Sequence, residues 1–158
     1  MQTTLLFADA MLGGLARWLR LLDIDTALAA PTLSDRELVR LANAQSRVVL
    51  TRDRHLIRFL RPDRGLLVAA QRTDAQLREV VDAIQLPRPE ALFLRCLVCN
   101  GRLEAASAEQ ILERVPASAR AFDQPIRHCP DCDRVYWFGS HTRRMTEHLQ
   151  EVLPQWFA

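Results

Sequence analysis

With 158 residues, 49% of them hydrophobic, the chain can bury one ordinary core, or a core of roughly 90 residues beside a small stapled module. A net charge of +2 excludes a polycation that coats nucleic acid by charge alone, and no apolar run approaches the ~20 residues of a membrane span. Lysine is absent, so every basic side chain apart from histidine is an arginine, whose planar fork suits phosphate.

Residues 4–8 form a short apolar run that reads as a buried strand, and it ends at Asp9. From Met11 onward, Leu12, Leu15, Ala16, Leu19 and Leu22 recur at helical spacing. Gly13 and Gly14 open that helix, so backbone can come close to whatever sits beyond the strand. Residues 26–30 predict a second strand, closed by Pro31. Residues 34–44 predict a helix with Leu38, Leu41 and Ala42 inward, and Ser34-Asp35-Arg36-Glu37 fits a capping box at its start. Residues 47–51 predict a third strand, which runs into Thr51-Arg52-Asp53. A short helix over 55–60, a fourth strand over 66–69 and a helix over 73–84 follow. Strands alternating with helices at such short intervals predict an α/β fold with a mostly parallel sheet. Pro87 and Pro89 mark a linker near residues 86–91 and divide the chain into parts 1–90 and 91–158. In the second part, a hairpin around Cys96 and Cys99 precedes a helix over 108–115. A second hairpin over 126–138 and a helix over 142–153 complete the chain.

The only four cysteines form two Cys-x-x-Cys pairs, Cys96/Cys99 and Cys129/Cys132. Zn²⁺ takes four tetrahedral ligands, and two thiolates from each of two tight turns supply them. Gly101 and Pro130 lie where such knuckles bend. Four thiolates close the coordination sphere, so the zinc is structural. His128 and His141 are near in sequence, but four cysteines suffice without them. Two disulfides would need an oxidising compartment, and no stretch reads as a signal peptide. A dithiol redox site would need only one pair.

Chemistry is therefore sought elsewhere. In an open parallel sheet, ligands bind beyond the carboxyl ends of the strands. Asp9 follows the first strand and Asp53 the third, while Asp35 and Glu37 start the helix after the second. Carboxylates gathered without cations repel one another, a cost that is justified if they hold Mg²⁺ or Mn²⁺. Each has a duller role open to it. Asp9 and Asp53 can cap the turns that follow them, Asp35 suits a helix dipole, Glu37 completes the capping box, and Arg52 or Arg54 can pair with Asp53. Asp63 sits in a Pro-Asp-Arg-Gly turn. Arg52, Arg54, Arg58, Arg61 and Arg64 fall within thirteen residues, either as a solvated face or as an RNA-contacting edge. An acidic cluster beside a basic stretch is what metal-assisted phosphodiester hydrolysis requires. No Gly-x-x-x-x-Gly-Lys loop, complete Gly-x-Gly-x-x-Gly fingerprint or Gly-x-Ser-x-Gly elbow is present.

Three stretches carry a family resemblance: Phe7-Ala8-Asp9-Ala10-Met11-Leu12-Gly13-Gly14-Leu15-Ala16-Arg17-Trp18-Leu19-Arg20, Val49-Leu50-Thr51-Arg52-Asp53-Arg54, and the two cysteine knuckles with Val135-Tyr136-Trp137-Phe138-Gly139-Ser140-His141. The chain resembles PIN-like ribonuclease domains fused to a C-terminal zinc ribbon, the Mut-seven C-terminal RNase family. The resemblance implies a PIN-like sheet and a cytoplasmic, Mg²⁺- or Mn²⁺-dependent ribonuclease. Its ligands would be Asp9, Asp53 and either Asp35 or Glu37; many PIN nucleases carry a fourth acid, for which this sequence offers no clear match, Asp63 and Asp74 being guesses. Arg52 and Arg54 would steady the RNA. The aromatic run Tyr136-Trp137-Phe138, with Arg134, His141, Arg143 and Arg144, either stacks bases and holds phosphates or docks the ribbon on the α/β part. Docking is the expectation for most of these aromatics, and core packing is the expectation for Trp18. Two other classes compete: a non-catalytic RNA-binding module, and the toxin of a toxin–antitoxin pair, against which the attached ribbon argues.

Overall fold

The computed structural model describes residues 4–158. In chain order the elements are β1 (Leu5–Ala8), α1 (Gly13–Leu21), β2 (Asp25–Leu28), α2 (Asp35–Ala44), β3 (Val48–Thr51), β4 (Gly65–Leu67), α3 (Thr73–Ile84), β5 (Glu104–Ala105), α4 (Ala108–Arg114), α5 (Ala117–Arg120), β6 (Arg127–His128), β7 (Val135–Tyr136) and α6 (Ser140–Val152). The first four strands form one parallel sheet in the order β2-β1-β3-β4, with Phe7 beside Ala27 and Val49, and Leu50 beside Leu66. The last three form a small antiparallel sheet in the order β5-β6-β7.

The period of two sorts the central strands onto two cores. Leu6, Ala8, Val48 and Leu50 face α1 and α3, with α6 packed outside α3. Phe7 and Val49 face Leu38, Val39 and Leu56, which come from α2 and from a wide π-helical turn at Leu56–Leu60. Both faces are covered, which is why β1, and β3 up to Thr51, are apolar rather than alternating.

Several boundaries differ from the sequence pattern for local reasons. The helix anticipated from Met11 opens as a 3-10 turn over Ala10–Leu12, because the Leu12 N–H bonds back to the Asp9 carbonyl at 2.9 Å. The short helix over 55–60 is the π turn, and it stops at Arg61 in the left-handed conformation (φ 46°). The stretch around 86–91 is not a free linker. Leu86 is buried, Leu92 and Phe93 pack on the main core, and the Phe93 N–H bonds the Leu21 carbonyl at 3.1 Å. That core runs on into the second part, where Leu97, Met145, Leu149, Leu153 and Trp156 share one cluster with Leu6, Leu15 and Leu19. Trp18 packs against the same core, with its ring 5.4 Å from that of His148 on α6. Helix α5 and the 3-10 turn Pro154–Trp156 lie outside the sequence pattern altogether.

Candidate functional site

The chain leaves β1 for β2 on one side and returns through α2 to β3 on the other. The order therefore reverses between β1 and β3, and in such sheets a crevice opens at the carboxyl ends of those two strands. Asp9 and Asp53 stand there, joined through a residue to which the sequence pattern gave no role. Thr51, fully buried at the end of β3, donates its hydroxyl to Asp9 Oδ2 at 2.9 Å. The same hydroxyl oxygen accepts from the Asp53 N–H at 3.0 Å. The signal was a hydroxyl residue at the inward position of an otherwise apolar strand.

Both carboxylates also serve locally. Asp9 Oδ1 accepts from the Ala10 N–H at 2.6 Å, and Asp53 Oδ1 caps the π turn through the His55 N–H at 2.7 Å. Arg52 and Arg54 do not neutralise Asp53. Among the described residues, none of the five arginines at 52, 54, 58, 61 and 64 has a carboxylate partner. Beside them Phe59 is 61% exposed, its ring 4.5 Å from that of His55 and flanked by the Arg58 guanidinium.

The two acids of α2 behave differently from each other. Ser34 Oγ accepts from the Glu37 N–H at 3.3 Å, but the Glu37 carboxylate reaches forward to Arg40 at 2.9 and 2.5 Å rather than back. The capping box is half formed, because a bidentate guanidinium outcompetes one backbone N–H. That hydrogen bond holds the Glu37 carboxyl below its ordinary range. Asp35, in the first turn, is exposed and makes no ion pair among the described residues. Neither acid shares a hydrogen bond with Asp9 or Asp53. Of the fourth-acid candidates, Asp74 is held by Arg72 at 2.9 Å, while Asp63 is exposed in its turn. The Gly13-Gly14 opening is close-packed at Gly14, where a Cβ would press on Thr73 at 3.2 Å, so the starts of α1 and α3 meet there.

Among the described residues, one group of three or more His, Cys, Asp or Glu side chains brings its ligand atoms within 4.8 Å of one another: Cys96, Cys99, Cys129 and Cys132. Cys96 and Cys132 Sγ lie 3.6 Å apart, and Cys99 and Cys129 Sγ 3.4 Å apart. A Zn–S bond of about 2.3 Å sets the edge of a tetrahedron at about 3.8 Å, so the four thiols fit zinc. The knuckles are copies of one turn. The Asn100 N–H bonds the Cys96 carbonyl and the Asp133 N–H the Cys129 carbonyl, with Asn100 (φ 73°) and Asp133 (φ 60°) both left-handed. The bends thus fall on Asn and Asp, which tolerate that conformation, rather than on Gly101 and Pro130. Gly101 instead leaves room for the Asp131 carboxylate, which a Cβ there would push aside. Burial pushes the Cys96 thiol up, but the Tyr136 hydroxyl at 3.0 Å and the Cys99 and Val98 N–H groups outweigh it and bring it to about 6. His128 is bonded to Asp133 at 2.9 Å, and His141 lies outside the thiol group.

The knuckle at Cys96 is bonded to the edge of the parallel sheet. Asn100 Oδ1 accepts from the Thr26 N–H at 3.0 Å, and its Nδ2 donates to Asp25 at 2.9 Å. Arg20, buried on α1, donates to the Leu97 and Val98 carbonyls at 3.0 and 2.9 Å and to that of Thr26 at 2.9 Å. Of the aromatic run, Tyr136 packs on the main core, whereas Trp137 and Phe138 belong to neither core. They line a cleft beside α6.

A family model described as the Mut7-C RNAse domain matches residues 4–149. No curated protein and no solved structure matches the chain.

Proposed function

The chain belongs to the Mut7-C RNAse domain family, and from that premise we propose that it is a cytoplasmic, Mg²⁺- or Mn²⁺-dependent PIN-like ribonuclease. Residues 1–90 would carry the nuclease and residues 91–158 the zinc ribbon. The observation that carries this reading is the pair Asp9 and Asp53 at the reversal point of the sheet, coupled through Thr51. None of Asp9, Asp35 and Asp53 is in an ion pair among the described residues, so these oxygen donors carry no cation of the chain's own, although the three carboxylates are not gathered within 4.8 Å of one another as the thiols are. Such oxygen donors are what a hard divalent cation selects. Asp9, Asp35 and Asp53 would hold it, with Glu37 available only if Arg40 lets go.

Such a cation, when bound, supplies an activated water and screens charge developing on the phosphoryl oxygens. The rest falls to the chain. Thr51 fixes the orientation of the Asp9 carboxylate, and the π-turn cap fixes that of Asp53. Arg52 and Arg54, exposed and unpaired, steady the RNA backbone by two-pronged hydrogen bonding to phosphate. The product expected is a 5′-phosphate end. The four thiolates would hold a structural zinc, which requires a reducing compartment. No helix among the described residues is long and apolar enough to cross a membrane.

The test is cleavage of an end-labelled single-stranded RNA with Mg²⁺ or Mn²⁺, wild type beside Asp53→Asn. Asparagine caps as well as aspartate, so the variant should fold normally while cutting falls roughly 100-fold or more. Equal cutting by both proteins would remove Asp53 from the site. Metal-independent RNA binding with no cutting by zinc-loaded wild type would replace the nuclease with a binding module.

A further inference from the structure

Two adjoining cavities of about 330 and 320 Å³ open between the ribbon and the start of α6, and both are walled by Phe93, Tyr136, Trp137 and Thr142. Phe93 and Tyr136 turn their other sides to the main core, whereas Trp137 is half-buried by the cleft itself. Its indole N–H donates to no protein acceptor among the described residues. Arg127 lines the first cavity and Arg17 the second, and neither is in an ion pair or a side-chain hydrogen bond among the described residues. Among the described residues, no carboxylate lines either cavity.

We propose that this cleft binds an unpaired nucleotide of the RNA, its base against Trp137 and its phosphates on Arg17 and Arg127. The proposal rests on the ribonuclease reading and adds to it a recognition site apart from the acids. The chemistry of the walls selects the occupant. A purely apolar ligand would make no use of the two guanidiniums, and a bare phosphate would leave the aromatic wall unused. A nucleotide answers both, since every base has a face that stacks on an aromatic ring and every link carries a negative charge. The volumes lie within the range of small-ligand pockets. Arg17 also ties the cleft to the acids. It lies eight residues after Asp9 on the helix that leaves the acidic end, a separation of at most about 29 Å even for an extended chain and less across α1. One short single strand can therefore reach both.

The experiment is fluorescence anisotropy of a labelled single-stranded oligouridylate with the full zinc-loaded chain, without added Mg²⁺ or Mn²⁺. Trp137→Ala should weaken binding roughly 5- to 100-fold, with Trp137→Phe recovering most of it. Arg17→Ala and Arg127→Ala should each weaken binding and flatten its salt dependence, by about 0.7 in slope for each phosphate no longer neutralised. An oligomer with abasic sites should bind wild type more weakly than the intact one, a comparison that needs no variant, and should lose nothing further against a folded Trp137→Ala. Equal affinity of wild type for the intact and abasic oligomers would overturn the proposal. So would self-association lost in Trp137→Ala with RNA binding unchanged, which would assign the cleft to a second copy. Trp137-dependent binding by a wild type that never cuts RNA would leave this site standing and remove the ribonuclease. Cutting by wild type with binding indifferent to Trp137 would do the reverse.

Discussion

Thr51 shows how much of the candidate site rests on one hydroxyl. It donates to one acid and accepts from the backbone of the other, so Thr51→Val should orphan both partners while keeping the shape. Each buried hydrogen bond removed costs about 1 kcal/mol, so the expected destabilisation is about 1–3 kcal/mol by urea unfolding. Cleavage should fall at least tenfold, with Thr51→Ser close to wild type. If Thr51→Val cuts normally, the threonine only fills space. Asp25 carries a pH signature. Burial raises its pKa, but the hydrogen bonds from Arg47 and Asn100 and the charges of Arg47 and Arg95 outweigh that and lower it. A depressed carboxyl contributes stability above its unfolded pKa of about 3.9, and that contribution is lost as pH falls through the lower folded value. Wild type should therefore be more stable than Asp25→Asn at neutral pH, and the gap should close on acidification below about pH 4. A gap that is constant with pH would show that the charge of Asp25 contributes nothing.

At the scale of elements, the knuckle at Cys96 and strand β2 are joined so closely that they should melt together. β2 is an edge strand, and Asn100 satisfies its Thr26 N–H while Arg20 reaches the carbonyls of Leu97 and Val98. Removing zinc with a strong chelator should then loosen β2 as well as the ribbon. Hydrogen exchange at the Thr26 amide should speed up together with that of the ribbon amides. If only the ribbon exchanges faster, the Asn100 and Arg20 bonds hold without the metal. Arg20→Ala tests the same joint from the other side. Guanidinium bonds to buried carbonyls are charge-assisted, and their removal should cost about 2–4 kcal/mol in urea unfolding.

Over the whole molecule, one core crosses the division near residue 90. Leu149 and Leu153 are fully buried in the cluster that also holds Leu15 and Leu19. A fragment of residues 1–90 would expose the face that α6 and Trp156 cover, so it should elute expanded from size exclusion and lack near-ultraviolet circular dichroism. A compact, dichroic fragment would show that the α/β part folds without the ribbon. The prolines that suggested a linker are real, but Leu86, Leu92 and Phe93 pin that stretch to the core, so proline there marks the end of a helix rather than a flexible joint.

The sequence by itself determined the alternation of strands and helices, the thiol set and the positions of Asp9 and Asp53 at strand ends. These follow from local periodicity and ligand spacing, which are written within a few residues of one another. Only the tertiary structure decided what depends on partners distant in the chain. Thr51 meets Asp9 across 42 residues, and Arg20 meets Leu97 across 77. Glu37 turned to Arg40 rather than to its own cap because side-chain competition is settled by rotamers, not by motif. Tyr136 reached the core while Trp137 and Phe138 stayed in the cleft, because which of these aromatics is covered is fixed only when the ribbon docks.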